Sequence, residues 1–153
     1  MLRVQISEAL KSSMKAKAQR ATSTLRLILA ALKDRDIAAR GKGGDDEISD
    51  DEILGMLQQM IKQRHESIEF YKQGGRLDLA KEEAEEIEII ERFLPKRLDE
   101  KETTDAISAV IDELGAANIK DMGRTMAALK QSYAGRMDFS KVSTIVKQRL
   151  GGV

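Results

Sequence analysis

Phe93-Leu94-Pro95-Lys96-Arg97-Leu98 divides the chain. Pro95 is the sole proline in 153 residues. Proline has no amide hydrogen and its ring clashes with the preceding turn, so a helix that reaches it stops or kinks. Before it, apolar residues recur on a helical period over long stretches; beyond it the periodic stretches are shorter. This predicts an all-α protein. A larger N-terminal domain of about four helices would span 1–94, and a small three-helix C-terminal domain 95–153.

Charge follows the same division. The chain is neutral overall, so no global field draws it to nucleic acid or membrane. Residues 1–44 hold 10 basic and 3 acidic side chains, net +7. Residues 45–95 hold 6 and 15, net −9, and residues 96–153 hold 10 and 8, net +2. A polyanion would therefore avoid the middle and meet the first helices or the tail. The absence of cysteine excludes disulfides, thiolate nucleophiles and thiolate metal sites, and is compatible with the cytosol. The longest apolar run, 27–32, is far too short to span a membrane, and no signal peptide is expected at the N-terminus.

In the first part, Leu2, Ile6, Leu10 and Met14 predict one face of a helix over about 2–18, with Lys11 and Lys15 on another face. Leu25, Ile28, Leu29 and Leu32 stripe a second helix over about 22–39, and Arg26 and Lys33 lie close to one line on it. Gly41-Lys42-Gly43-Gly44 ends it as a loop, because the spacing of a phosphate-binding loop is missing. The acids from Asp45 to Asp51 read as helix capping, with Ser49-x-x-Glu52 as a capping box for a third helix over about 50–73. Ile53, Met56, Leu57, Met60, Ile61, Arg64, Ile68 and Tyr71 trace its inner side, and Gly74 fits a left-handed cap. A fourth helix over about 76–93 is striped by Leu77, Ala80, Ala84, Ile87, Ile90 and Leu94. Its glutamates read as a solvated face that could also lie against the basic first helices.

Beyond the proline, Asp99-x-x-Glu102 is a second cap, and Ala106, Ile107, Val110, Ile111 and Leu114 line a fifth helix stopped by Gly115. Met122, Met126, Leu129 and Tyr133 stripe a sixth over about 121–134, and Val142, Ile145, Val146 and Leu150 a seventh over 139–150. Gly123 inside a helix costs about 1 kcal/mol against alanine. Its use would be close approach, by another helix or by a nucleic-acid backbone.

Catalytic constellations are missing. His65-Glu66-x-x-Glu69 offers two ligands, too few for a stable metal site, and His65 is the lone histidine. Ser12-x-x-Lys15 matches one element of the serine β-lactamase set without its companions. No catalytic residue, cofactor or metal ligand is assigned.

The ordered set of short segments resembles the YqeY-like family, also called the GatB/YqeY domain family. The segments are Leu10-Lys11, Met14-Lys15-Ala16-Lys17, Leu25-Arg26 with Ala30-Ala31-x-Lys33, Lys62-Gln63-Arg64-x-Glu66-Ser67 and Gly75-Arg76-x-Asp78-Leu79-Ala80. Phe93-Leu94-Pro95, Asp121-Met122-Gly123-x-x-Met126, and Val142-Ser143 with Val146-Lys147 complete it. The resemblance implies an all-helical relative of the tail domain of GatB, a component of the tRNA-dependent amidotransferase. It implies a cytoplasmic, non-catalytic accessory protein whose partner is tRNA or a tRNA-aminoacylation or amidation enzyme. The alternatives are a component of a carbon–nitrogen ligase with glutamine as amido donor, and a protein–protein scaffold. The expected phosphate contacts are Lys120, Arg124, Lys130 and Lys147 in the tail, with Lys11 and Lys15 as a second candidate strip. Aromatic residues are scarce, so RNA recognition would run through backbone and shape.

Overall fold

The computed structural model describes residues 1–43 and 47–151. All regular structure among them is helical: α1 (Leu2–Lys15), α2 (Gln19–Gly41), α3 (Asp50–Gln73), α4 (Leu77–Glu91), α5 (Glu100–Leu114), α6 (Met122–Tyr133) and α7 (Phe139–Leu150). A single 3-10 turn, Ile119–Asp121, leads into α6. The contacts cluster into two compact units, Met1–Leu94 with α1 to α4 and Pro95–Val153 with α5 to α7.

Local chemistry sets the ends of the helices. Ser49 and Glu52 form the capping box of α3, and Asp99 and Glu102 form that of α5. Both match the sequence reading. Gly44, Asp45 and Asp46, parts of the expected glycine loop and acidic cap, lie outside the described residues. The first helix is shorter than expected. It ends at Lys15 because the Lys17 amide donates to the Met14 carbonyl and the Ala18 amide to that of Ser13. This closure places Lys17 in the left-handed region at φ 56, an unfavourable conformation for a side chain other than glycine. The second helix then starts earlier than expected, at Gln19. After α3 the left-handed residue is Gly75, at φ 73, and not Gly74. The same pattern explains it: the Arg76 amide reaches the Tyr71 carbonyl, so the residue just before Arg76 must turn left-handed.

The first unit packs Leu2 and Ile6 of α1, Leu25, Ile28 and Leu32 of α2, Ile53, Met56, Leu57 and Met60 of α3, and Ile89 and Ile90 of α4 around one core. A smaller cluster of Ile68, Ala80 and Ile87 joins the far ends of α3 and α4. The fourth stripe needs correction. Leu77 and Ala84 are exposed, and Ile89 is buried instead. The cause is ionic, because Glu83 and Glu86 occupy the middle of the inward face to meet Arg64 of α3. Met14 is also exposed, at the end of the α1 stripe.

The second unit closes Ala106, Ile107 and Val110 against Met126 and Leu129, with Met137, Val142, Val146 and Leu150 completing its core. Residues 96–98 are fastened to it. The Leu98 amide donates to the Arg136 carbonyl at 3.0 Å, and Arg136 Nε donates to the Lys96 carbonyl at 3.0 Å.

One polar node ties three separate pieces of the first unit. Arg3 of α1 donates through both terminal nitrogens to the carboxylate of Asp36 in α2, at 2.7 and 3.0 Å. Asp36 also accepts the Ile48 amide at 2.9 Å, and Arg3 donates to the Ile48 carbonyl at 3.2 Å. Asp36 is buried, and the Arg3 hydrogen bonds hold its carboxyl below the ordinary range. Removing the carboxylate leaves the guanidinium and the Ile48 amide without their acceptor. Asp36→Ala should therefore lower unfolding free energy by about 2–4 kcal/mol. The pH dependence has a definite sign. A depressed carboxyl stabilises above its unfolded value of about 4 and loses that contribution as pH falls through the folded value. Acid unfolding of the wild type below about pH 4 should be steeper than that of Asp36→Asn, read by circular dichroism; equal slopes would remove the node's electrostatic role.

Candidate nucleic-acid interface

Lys120, Arg124 and Lys130 are brought to one side of the second unit. At 100° per residue, Gly123, Arg124, Ala127, Lys130 and Gln131 fall within one outward arc of α6, and all five are exposed. Lys120 is exposed in the 3-10 turn that leads into this arc. The loop that presents it is locked from several directions. Gly115 caps α5 at φ 62, the Asn118 side chain accepts the Lys120 amide at 2.9 Å, and Asp121 accepts the Ala117 amide at 2.8 Å. The Ala117 amide first, and then Arg124, draw the Asp121 carboxyl below its ordinary range.

Arg124 differs from its lysine neighbours. Its Nε donates to Asp121 at 3.0 Å and a terminal nitrogen donates to the Leu114 carbonyl at 2.8 Å. The guanidinium thus stitches the end of α5 to the start of α6. Lys120 and Lys130 have no ion pair among the described residues. Lys147 is exposed on a different helix, α7, where Arg149, two residues further on, donates to the Ser108 hydroxyl. A side-chain carbon placed on Gly123 would meet nothing within 4 Å. No described helix of this chain uses the close approach that the glycine permits.

Lys11 and Lys15 lie on α1 in the first unit. Lys11 pairs loosely with Glu8 at 3.5 Å, and Lys15 is exposed without a partner among the described residues. Next to them the α1–α2 turn opens a shallow groove of about 510 Å³, lined by Met14, Lys17, Gln19, Thr22, Ser23 and Arg26. The sequence reading passed over this groove, because the turn that creates it requires Lys17 in a conformation the sequence does not announce.

The acidic fourth helix is partly neutralised by the helices beside it. Arg20 of α2 pairs with Glu82 and Glu85 at 3.4 and 3.3 Å. Arg64 pairs with Glu86 at 2.8 Å and sits 4.0 Å from Glu83. Glu83 is half-buried, and burial followed by the neighbouring Glu86 charge pushes its carboxyl above the ordinary range. His65 is exposed. Among the described residues no group of three or more His, Asp or Glu side chains could hold a metal ion, and no helix is long and apolar enough to cross a membrane.

Residues 3–150 match the family described as YqeY-like protein. The chain is 32% identical over 115 residues to the altered inheritance of mitochondria protein 41, mitochondrial, of Lachancea thermotolerans, a match covering 74% of this chain and 59% of that protein. It is 32% identical over 95 residues to an uncharacterised protein of Schizosaccharomyces pombe, covering 62% and 73%. The Saccharomyces cerevisiae altered inheritance of mitochondria protein 41, mitochondrial, is 32% identical over 85 residues, covering 56% of this chain and 44% of its own length. The chain thus spans about three-fifths of the first of these relatives.

Burial and the Glu86 charge oppose the Glu83 carboxylate, and Arg64, 4.0 Å away, offsets them only in part. The folded value of Glu83 is raised, so its stabilising contribution is complete below the unfolded value near 4.3 and is lost as pH rises through the folded one. Glu83→Gln should raise stability at pH 7 by roughly 0.5 kcal/mol and leave it unchanged below about pH 4. Thermal melts at the two pH values read this, and a loss of stability at neutral pH would assign Glu83 to the Arg64 pair instead.

Proposed function

The chain belongs to the YqeY-like protein family, and on that premise we propose that it is a non-catalytic accessory protein that binds tRNA or a tRNA-charging or amidating enzyme. The observation that carries the RNA reading is the outward arc of α6. Two unpaired lysines, Lys120 and Lys130, flank the bare backbone at Gly123. Glycine in a helix is unfavourable, and packing within the chain does not account for it. A phosphodiester backbone would use both features, the charge and the missing side chain. Lys147 on α7 supplies a further phosphate contact. Arg124 contributes by holding the arc in shape, since its guanidinium is already bonded. The cytosolic location is part of the proposal: the cysteine-free sequence is compatible with it, while two of the yeast relatives carry "mitochondrial" in their names.

Bulk tRNA titrated against the full chain by fluorescence anisotropy tests this. Affinity should fall steeply between about 50 and about 200 mM salt, and Lys120→Gln with Lys130→Gln should reduce the log–log salt slope by about 2. Gly123→Ala separates the two roles of the glycine. It should stabilise the protein by up to about 1 kcal/mol while weakening tRNA binding. Binding by the wild type no tighter than that of a neutral helical protein would end the RNA reading.

A further inference from the structure

The arginines of this chain divide by task. Arg3, Arg20, Arg64, Arg76 and Arg124 pair with carboxylates, and Arg35, Arg136 and Arg149 donate to other oxygens. A planar guanidinium fork suits such fixed multiple bonds. Arg26, Arg40, Arg92 and Arg97 are exposed, with no hydrogen-bond or ion-pair partner among the described residues. Arg92 and Arg97 flank the proline joint singly, whereas Arg26 and Arg40 share one helix, α2. Lys33, exposed and unpaired, lies midway between these two. The seven-residue intervals put the three cations along one line of the helix, about 10 Å apart. Ala30 and Ile37, both exposed and uncharged, flank the line on one side, and the half-buried Leu29 and the buried Asp36 on the other.

No carboxylate among the described residues falls on this line. Asp34 is exposed well to one side, and Asp36 is turned inward and bonded to Arg3, with Arg40 contributing a more distant attraction. At its N-terminal end the line runs through Arg26 into the groove beside Lys17. From the groove to Arg40 it is about 30 Å long. We infer that this ridge of α2 is a track for the phosphodiester backbone of RNA, separate from the α6 arc, with the groove receiving the phosphates at one end. Charges set singly along a line match a ligand whose own charge is spread evenly along its length. A compact acidic protein surface would be met better by a gathered patch. The inference rests on the proposed RNA binding and adds a second surface to it.

The experiment uses the full chain and bulk tRNA, by anisotropy, at about 50 and about 200 mM salt. The ridge variant is Lys17→Gln, Arg26→Gln, Lys33→Gln; the arc variant is Lys120→Gln, Lys130→Gln. All five side chains are exposed, and circular dichroism melts check that each variant keeps its fold. The ridge variant should lose at least about tenfold in affinity and lower the salt slope by about 2–3. Combining the variants should weaken binding further than either alone. If the ridge variant binds like the wild type while the arc variant is weakened, the ridge falls and the α6 reading stands. If the wild type has no affinity for tRNA, both fall. If the ridge variant keeps its tRNA affinity but loses binding to a polyglutamate peptide, the surface belongs to an acidic protein and the RNA track is overturned.

Discussion

The first unit depends on a carboxylate that lies 33 residues from its main partner. Asp36 accepts two hydrogen bonds from Arg3 and one from the Ile48 amide, so α1, α2 and the entry to α3 meet at one buried group. The apolar contacts around Leu2, Ile6, Leu32 and Ile48 are not directional, and several sliding arrangements of the helices would bury similar area. The bidentate pair admits one register. Its energetic contribution comes from completeness, because every partner at this node would be costly to leave unpaired.

A second ionic seam settles which surfaces remain basic. The acidic α4 is met by Arg64 from α3 and Arg20 from α2. Those two arginines are used up inside the unit. Of the remaining cations of α2, Arg35 donates to Gln59, while Arg26, Lys33 and Arg40 stay exposed with no bonded partner among the described residues. The net +7 of residues 1–44 is therefore directed outward by the same contacts that quench part of the net −9 of residues 45–95. A chain neutral overall can thus present a basic edge.

What the sequence made legible was local. The two capping boxes close within four residues, and their side chains read directly from Ser49, Glu52, Asp99 and Glu102. The stripes of α5, α6 and α7 follow a 3.6-residue period and pack into the core as the period requires. Errors arose where a distant residue changed the local answer. Leu77 and Ala84 fit the α4 stripe, yet the inward face was claimed by glutamates that answer Arg64. Asp36 was not singled out in the sequence, because nothing nearby in it names Arg3. The candidate site divides in the same way. That Lys120 and Lys130 are exposed was legible, whereas the two bonds that occupy Arg124 depend on a loop folding back to Leu114.

The division between bonded and free cations decides how much charge the surface offers more than the number of basic residues does. A cation already held by a carboxylate and a carbonyl gains little from a phosphate, because it must first give up both bonds. Counting basic side chains therefore overstates the free charge of the tail, where Arg124, Arg136 and Arg149 are all engaged. The same filter raises α2, where two arginines remain unbonded although the fork is the group most readily captured by internal oxygens. Arginine left exposed and without a bonded partner, in line with lysine, keeps its bidentate fork for an external anion. Among the described residues the first unit thus keeps Arg26, Lys33 and Arg40 unpaired on α2, and the second keeps Lys120 and Lys130, charge that the chain's own carboxylates do not take up.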